Sequence, residues 1–150
     1  MRKTTNMDEA DSNDFLYDLS ALPIVFVRYP KEASLEAIEQ AFEFYVELSQ
    51  KHRRVAYLFD LRDFNPVTAS AKLRRAFADH YEANRSVIEP ATVAEALVHS
   101  STLVRGIVTA VNWLTVRAYP QRQFTDMDKA RDWLLDQLAR DGASNVSSRL

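Results

Sequence analysis

The sequence predicts a single α/β domain with a mixed central sheet of about five strands and about four covering helices. Short apolar runs rich in β-branched and aromatic residues alternate with amphipathic stretches in the order ββαβαβαβα. The connections between these segments are short, as in one compact sheet. With 150 residues, of which 47% are hydrophobic, the chain can bury one core but has no room for a second domain. We predict that the domain spans residues 15–139, between a disordered tail of residues 1–14 and a flexible tail of residues 140–150.

The first half of the chain predicts a hairpin, a helix and a strand. Residues 15–19 and 24–29 are two strands joined by a turn at Leu22-Pro23. Ser34 is the expected N-cap of the first helix, and residues 55–61 form the next strand. Apolar residues at helical spacing predict the inner face of the first helix: Leu35, Ile38, Phe42, Tyr45 and Leu48.

The second half alternates helices and strands. Asn65 is the expected N-cap of the second helix, with Pro66 in its first position. Ser100 or Ser101 should cap the third helix over residues 103–115, and Asp126 should start the last one. Residues 92–98 and 121–124 are the remaining strands.

Composition excludes several classes of function. A net charge of -2 gives no general attraction to nucleic acid. The absence of cysteine excludes disulfides, thiolate zinc sites and a cysteine nucleophile, and two glycines are too few for a Gly-rich phosphate loop. We expect no cofactor, no metal and no enzymatic activity. The start lacks a signal peptide and the longest apolar stretch, residues 103–116, is too short and interrupted to span a membrane, which predicts a cytoplasmic protein without a transmembrane segment.

A charged turn followed by hydroxyl-bearing residues is the first candidate site. Asp60, Arg62 and Asp63 come directly after an apolar strand, where ligands or partners often meet an α/β sheet. The same residues could simply pair with one another and fix the loop, which is the favoured interpretation. Thr68 and Ser70 lie near a helix start, where they either satisfy backbone donors or accept a phosphate.

The third helix is the second candidate surface. Arg105, Thr109 and Asn112 fall on one narrow stripe, and apolar residues that include Trp113 cover the rest of the helix. Such a helix is either buried against the sheet and neighbouring helices, or its outer apolar strip meets a second subunit, a partner protein or a lipid chain. Burial within the domain is the favoured interpretation.

A hydrolase site is a weaker third candidate. His99 at a strand end precedes Ser100 and Ser101, so a base and a nucleophile would be neighbours. The serines are equally natural helix caps, and capping is the favoured interpretation.

The order of elements, the DLRDF turn at residues 60–64 and the VRGIVTAVNWL segment at residues 104–114, followed by Tyr119-Pro120, resemble the bacterial STAS family. This resemblance implies a non-enzymatic regulatory or protein-interaction module with a protein partner, and a homodimer is an open alternative. Regulatory members carry an Asp-Ser pair after the third strand, but Thr68 and Ala69 occupy those positions here. Thr68 or Ser70 is therefore the candidate phosphorylation site that remains. The similarity of STAS-like folds to CRAL-TRIO-type lipid carriers implies an alternative, a small-molecule or lipid-binding module with an apolar pocket beside the third helix.

Overall fold

The computed structural model describes the backbone of residues 13–149 and the side chains of residues 13–143. The strands are β1 (Leu16–Asp18), β2 (Ile24–Arg28), β3 (Val55–Asp60), β4 (Thr92–Val98) and β5 (Gln121–Phe124). The helices are α1 (Leu35–Lys51), α2 (Ala71–Ala91), α3 (Thr102–Leu114) and α4 (Met127–Arg149), with a short 3-10 turn at Pro66–Thr68 before α2. The predicted fold class and order of elements are confirmed.

The five strands form one mixed sheet in the order β1-β2-β3-β4-β5. β1 pairs antiparallel with β2, which is the predicted hairpin, and all other neighbours are parallel. The strand order of the described sheet does not reverse among its parallel strands. The charged turn after β3 therefore does not lie at a topological switch point, where ligand sites of open α/β sheets usually form.

The sheet separates two apolar cores, because its central strands are buried on both faces. On one face, α1, α2 and α3 pack against alternate residues such as Val55, Tyr57 and Phe59. On the other face, α4 packs against Ala56, Leu58 and their neighbours. The three-helix face is rich in aromatic rings, whereas the α4 face is mainly aliphatic.

The start of α2 differs from the sequence prediction. Asn65 caps only the 3-10 turn, because its side chain accepts a hydrogen bond from the backbone N–H of Val67. Ala69 then has a non-helical backbone conformation, and Ser70 is the N-cap of α2 through a 3.2 Å hydrogen bond from the N–H of Leu73. The chain thus contains two successive caps, and local pattern alone does not decide which one starts the long helix.

The last helix extends past the predicted end of the domain at residue 139. It runs to Arg149, and the Arg54 guanidinium binds the Asp141 carboxylate at 2.6 Å, which ties this part of α4 to the start of β3. The predicted N-terminal tail, residues 1–14, lies almost entirely outside the described residues. The predicted boundaries of the domain stay predictions.

Candidate functional site

The charged turn after β3 is closed by its own ion pair. The buried Asp60 carboxylate accepts hydrogen bonds from Nε and Nη2 of Arg62, both at 2.9 Å, and from the backbone N–H of Arg62 at 3.0 Å. Burial would raise the pKa of Asp60, but the hydrogen bonds and charge of Arg62 outweigh it and hold the pKa below its ordinary value. Asp63 is exposed beside them. This geometry supports the loop-fixing interpretation, because the Arg62 guanidinium is already occupied.

Thr68 and Ser70 both serve the local backbone. The Thr68 hydroxyl donates to the carbonyl of Asn65 at 2.8 Å, and the Ser70 hydroxyl accepts from Leu73 as the α2 cap. Ser70 is exposed and Thr68 is half-buried. These are the contacts expected of structural hydroxyls. Phosphorylation of either residue stays a prediction.

The polar stripe of α3 divides into two parts. Arg105 and Thr109 are exposed, and the Thr109 hydroxyl donates back to the carbonyl of Arg105 at 2.9 Å. Asn112 instead points toward the interior, where it donates to Gln121 at 2.8 Å and accepts from Nη1 of Arg117 at 2.7 Å. Asn112 therefore belongs to a different site from its two neighbours on the stripe.

The apolar residues of α3 also separate into an inner and an outer face. Val104, Val108 and Val111 are buried against the domain. The outer face, here called the α3 outer strip, consists of Leu103, Gly106, Ala110, Trp113 and Leu114. Trp113 is 83% exposed and Leu103 is 53% exposed. The favoured interpretation of burial within the domain is therefore wrong for this strip, because α3 covers the sheet with one face only.

His99 is a buried structural residue in this geometry. Its Nδ1 accepts from the backbone N–H of Ser101 at 3.3 Å, and its Nε2 lies 2.6 Å from the side-chain oxygen of Gln123. The first contact assigns the proton to Nε2, so neither ring nitrogen is free to take a proton from a hydroxyl. The Ser101 hydroxyl caps α3 by accepting from the N–H of Val104. The arrangement gives no support to a hydrolase built on His99 with Ser100 or Ser101.

A cavity of about 110 Å³ lies between the sheet and helices α1, α2 and α3. Its walls are largely aromatic and aliphatic, and α3 contributes its inner face. The lining includes Phe15, Tyr29, Ile38, Phe42, Tyr45, Tyr57, Phe59, Phe64, Leu73, Phe77, Tyr81, Leu97, Val104, Ile107, Val108 and Val111. A pocket beside the third helix is what the CRAL-TRIO-type alternative implies.

The polar part of the cavity is a buried ion pair. Nε of Arg117 lies 2.7 Å from the Glu95 carboxylate, and both side chains are less than a tenth exposed. Glu95 also accepts from Tyr119 and Gln121, and the Arg117 guanidinium lies over the Tyr81 ring at 4.9 Å. Burial would lower the pKa of Arg117, but the charge of Glu95 outweighs it and raises the pKa, so the guanidinium stays charged.

Sequence reasoning missed this ion pair, although one signal for it was present. Glu95 interrupts an otherwise apolar strand, TVAEALV, and a carboxylate in a central strand is costly unless it is paired. The identity of its partner could not be read from the pattern. Arg117 lies in the irregular segment between α3 and β5, far along the chain.

Several tyrosines surround the same space. Burial raises the pKa of Tyr45 and Tyr119 well above the ordinary value, and it also raises those of Tyr29 and Tyr57. These side chains are therefore neutral phenols that can donate a proton in a hydrogen bond. The Tyr45 hydroxyl is buried and has no hydrogen-bond partner among the described residues.

A second polar cluster joins the end of α2 to the segment after α3. Arg85 donates to Glu82 at 2.5 Å and to Glu89 at 2.6 Å. The Thr115 hydroxyl donates to Glu82, and the backbone N–H of Ala118 donates to Glu89 at 2.8 Å. The cluster fixes the segment that carries Arg117 and Tyr119 into the cavity.

This cluster predicts a specific dependence of stability on pH. Hydrogen bonds from Arg85 and Thr115 lower the pKa of Glu82 from 4.5 to about 2. A carboxyl whose pKa is lower in the folded state stabilises the fold above its unfolded pKa, and this contribution is lost as the pH falls from about 4.5 toward 2. Glu82→Gln should therefore destabilise the protein at about pH 6, and the difference from wild type should shrink toward about pH 2.5. Urea denaturation across this range measures it. A stability difference between Glu82→Gln and wild type that does not change with pH would contradict the low pKa of Glu82. In an Arg85→Ala background, this dependence on pH should be smaller.

The described side chains contain no group of three or more His, Asp or Glu placed to hold a metal ion. Within residues 13–149, no helix is long and apolar enough to cross a membrane.

The candidate site consists of an apolar cavity with an ion pair at one side and an exposed apolar helix face nearby.

The mixed sheet, with three helices on one face and one on the other, is the architecture of a STAS-like α/β domain. A comparison with protein families matches the SpoIIAA-like family over residues 24–135, which is most of the chain. The protein belongs to the SpoIIAA-like family. No curated protein matches the sequence.

Proposed function

We propose that this protein is a non-enzymatic regulatory module of the STAS type that binds a partner protein through the α3 outer strip. The observation that carries this proposal is the 83% exposure of Trp113. An exposed tryptophan on an apolar helix face is costly to leave in water, and tryptophan is enriched among the residues that dominate binding energy in protein interfaces. Membership of the SpoIIAA-like family supports an interaction role.

The charges around the strip favour a different protein over a second copy of this chain. Arg105 is exposed on the same helix, and α3 contains no acidic residue. Two copies of α3 packed together would give Arg105 no opposite charge on the facing helix. A partner segment with an apolar face and a carboxylate would bury Trp113 and pair with Arg105.

Trp113→Ala should weaken the partner complex about thirtyfold, which corresponds to the loss of about 2 kcal/mol expected for a central interface residue. The partner is first captured from the native host with wild-type protein as bait, then titrated as a purified protein by calorimetry. Arg105→Glu should also weaken binding by reversing the complementary charge. The matched control is Leu135→Ala, which changes an exposed apolar residue of α4 on the opposite face.

Equal affinity of the wild-type and Trp113→Ala proteins would exclude the α3 outer strip as the interface. Analytical sedimentation of the isolated protein tests whether a second copy of this chain occupies the α3 outer strip. If the wild type is a dimer that Trp113→Ala converts to a monomer, the strip binds a second copy and the proposal of a different partner is wrong.

The cavity supports a second candidate function, a small-molecule or lipid-binding module. A partly enclosed apolar space with a few convergent polar groups is the usual form of a ligand site. Native mass spectrometry of protein purified from its own host tests this candidate. A copurifying mass that Leu73→Trp removes would support it, because Leu73 lines the cavity and is only partly buried.

A further inference from the structure

We infer that the cavity takes a small, neutral and largely apolar molecule, about the size of one substituted ring, that carries a hydrogen-bond acceptor. This inference rests on the ligand-binding candidate above and names the class of ligand. Three properties of the lining carry it: its size, the balance of its charges and the Tyr45 hydroxyl.

The size limits the ligand to a compact group. An apolar protein cavity of about 150 Å³ binds benzene, so an enclosed volume of about 110 Å³ holds at most one ring, and a short substituent extends toward the open side of the cavity. The surrounding rings, such as Phe42, Phe59 and Phe77, provide faces and edges for an aromatic or alicyclic group. A long acyl chain exceeds this volume.

The charges of the interior favour a neutral ligand. Glu95 and Arg117 compensate each other, and Glu95 already accepts hydrogen bonds from Tyr119 and Gln121. An anion placed beside this pair meets the Glu95 carboxylate, and a cation meets the Arg117 guanidinium. Arg74 also lines the cavity, but it is partly exposed and donates to the carbonyl of Ala69 at 2.5 Å. Away from Arg74, the lining of the cavity therefore has no uncompensated charge to attract an ion.

The Tyr45 hydroxyl supplies the requirement for an acceptor. Tyr45 lines the cavity and is only 5% exposed. Its hydroxyl has no hydrogen-bond partner within the described part of the chain. A buried donor without a partner is costly, so a ligand that accepts its proton in a hydrogen bond gains more than an apolar one of equal shape. The raised pKa of Tyr45 agrees with its role as a neutral donor.

Three probes of similar size separate these properties: acetophenone is neutral with an acceptor, ethylbenzene lacks the acceptor, and benzoate is an anion. Each is titrated into the full chain while the methyl signals of Val104 and Val108 are followed by NMR, because both residues line the cavity. Acetophenone should bind more tightly than ethylbenzene by about threefold to tenfold, the value of one neutral hydrogen bond, and benzoate should bind least. Tyr45→Phe should lower the ratio of acetophenone affinity to ethylbenzene affinity to about one.

The outcomes distinguish this inference from the ligand-binding candidate itself. If ethylbenzene binds as tightly as acetophenone, or if benzoate binds most tightly at Arg74, the inferred ligand class is wrong although the cavity binds ligands. If none of the three perturbs the Val104 and Val108 signals, the inference is overturned, whereas the candidate itself is overturned only if native mass spectrometry also finds no copurifying mass. Leu73→Trp is the blocking control and should abolish binding of both neutral probes, with its folding checked by thermal denaturation.

Discussion

Arg117→Met should lower the free energy of unfolding by about 3–5 kcal/mol, because it removes one partner of a buried ion pair. The side chains of Arg117 and Glu95 are 8% and 6% exposed, so solvent does little to screen the charge that remains. Methionine has a similar length and keeps much of the apolar packing against Tyr81. The loss therefore reports the Glu95 charge left without its partner, together with the lost hydrogen bond from Arg117 to Asn112. Urea denaturation at neutral pH measures it.

The double variant Glu95→Gln with Arg117→Met is the matched control. It removes both charges, and replacing a whole buried ion pair with neutral side chains is often close to neutral for stability. We expect it to recover most of the loss seen in the single variant. A single variant that loses less than about 1 kcal/mol would show that the pair is solvated, contrary to its geometry.

Leu134→Ala should lower the free energy of unfolding by about 2–5 kcal/mol, the usual cost of truncating a fully buried leucine. Leu134 is 0% exposed and packs in the core between α4 and the sheet, with Leu58 and Ala130. The size of the loss within this range depends on how far α4 can move toward the sheet to fill the cavity left by the leucine side chain. Thermal or urea denaturation measures the change.

The next residue is the control for this substitution. Leu135 has the same side chain on the same helix but is 51% exposed, so Leu135→Ala should change stability by no more than about 0.5 kcal/mol. Similar losses for the two variants would mean that α4 is rotated relative to the sheet. Such a result would also question the packing of the whole aliphatic core.

These two expected losses come from cores of different character. The α4 face is mainly aliphatic, and its core contains no buried ion pair among the described residues. The three-helix face contains stacked and edge-on rings, such as Tyr17 with Phe44, and surrounds a cavity with an ion pair. The features on which both binding proposals rest thus lie on one side of the sheet.

The helix α3 connects the two proposed functions. Its inner residues, including Val104 and Val108, line the cavity, and its outer residue Trp113 faces solvent. The two proposals use opposite faces of the same helix and need different variants for their tests. Trp113→Ala should leave acetophenone binding unchanged, and Tyr45→Phe should leave partner binding unchanged.

Sequence reasoning was most accurate where structure follows from local chemistry. The predicted bounds of β4 and β5 agree with the structure, and Ser34 caps α1 as expected. Ser101, one of the two predicted caps, starts α3. Strand propensity, helical spacing and side-chain capping act over a few residues, so one sequence contains enough information to place them.

The sequence by itself determined the α/β class, the order of the elements and the residues available for each face of a helix. Only the tertiary structure decided which apolar faces are covered, and it left Trp113 exposed although its helix looked buried. It also brought Glu95 and Arg117 together across 22 positions of the chain and placed Tyr45 beside the same cavity. Which helix faces are covered and which charged side chains pair depend on contacts between elements that are distant in sequence. Periodicity within one element carries no information about those contacts.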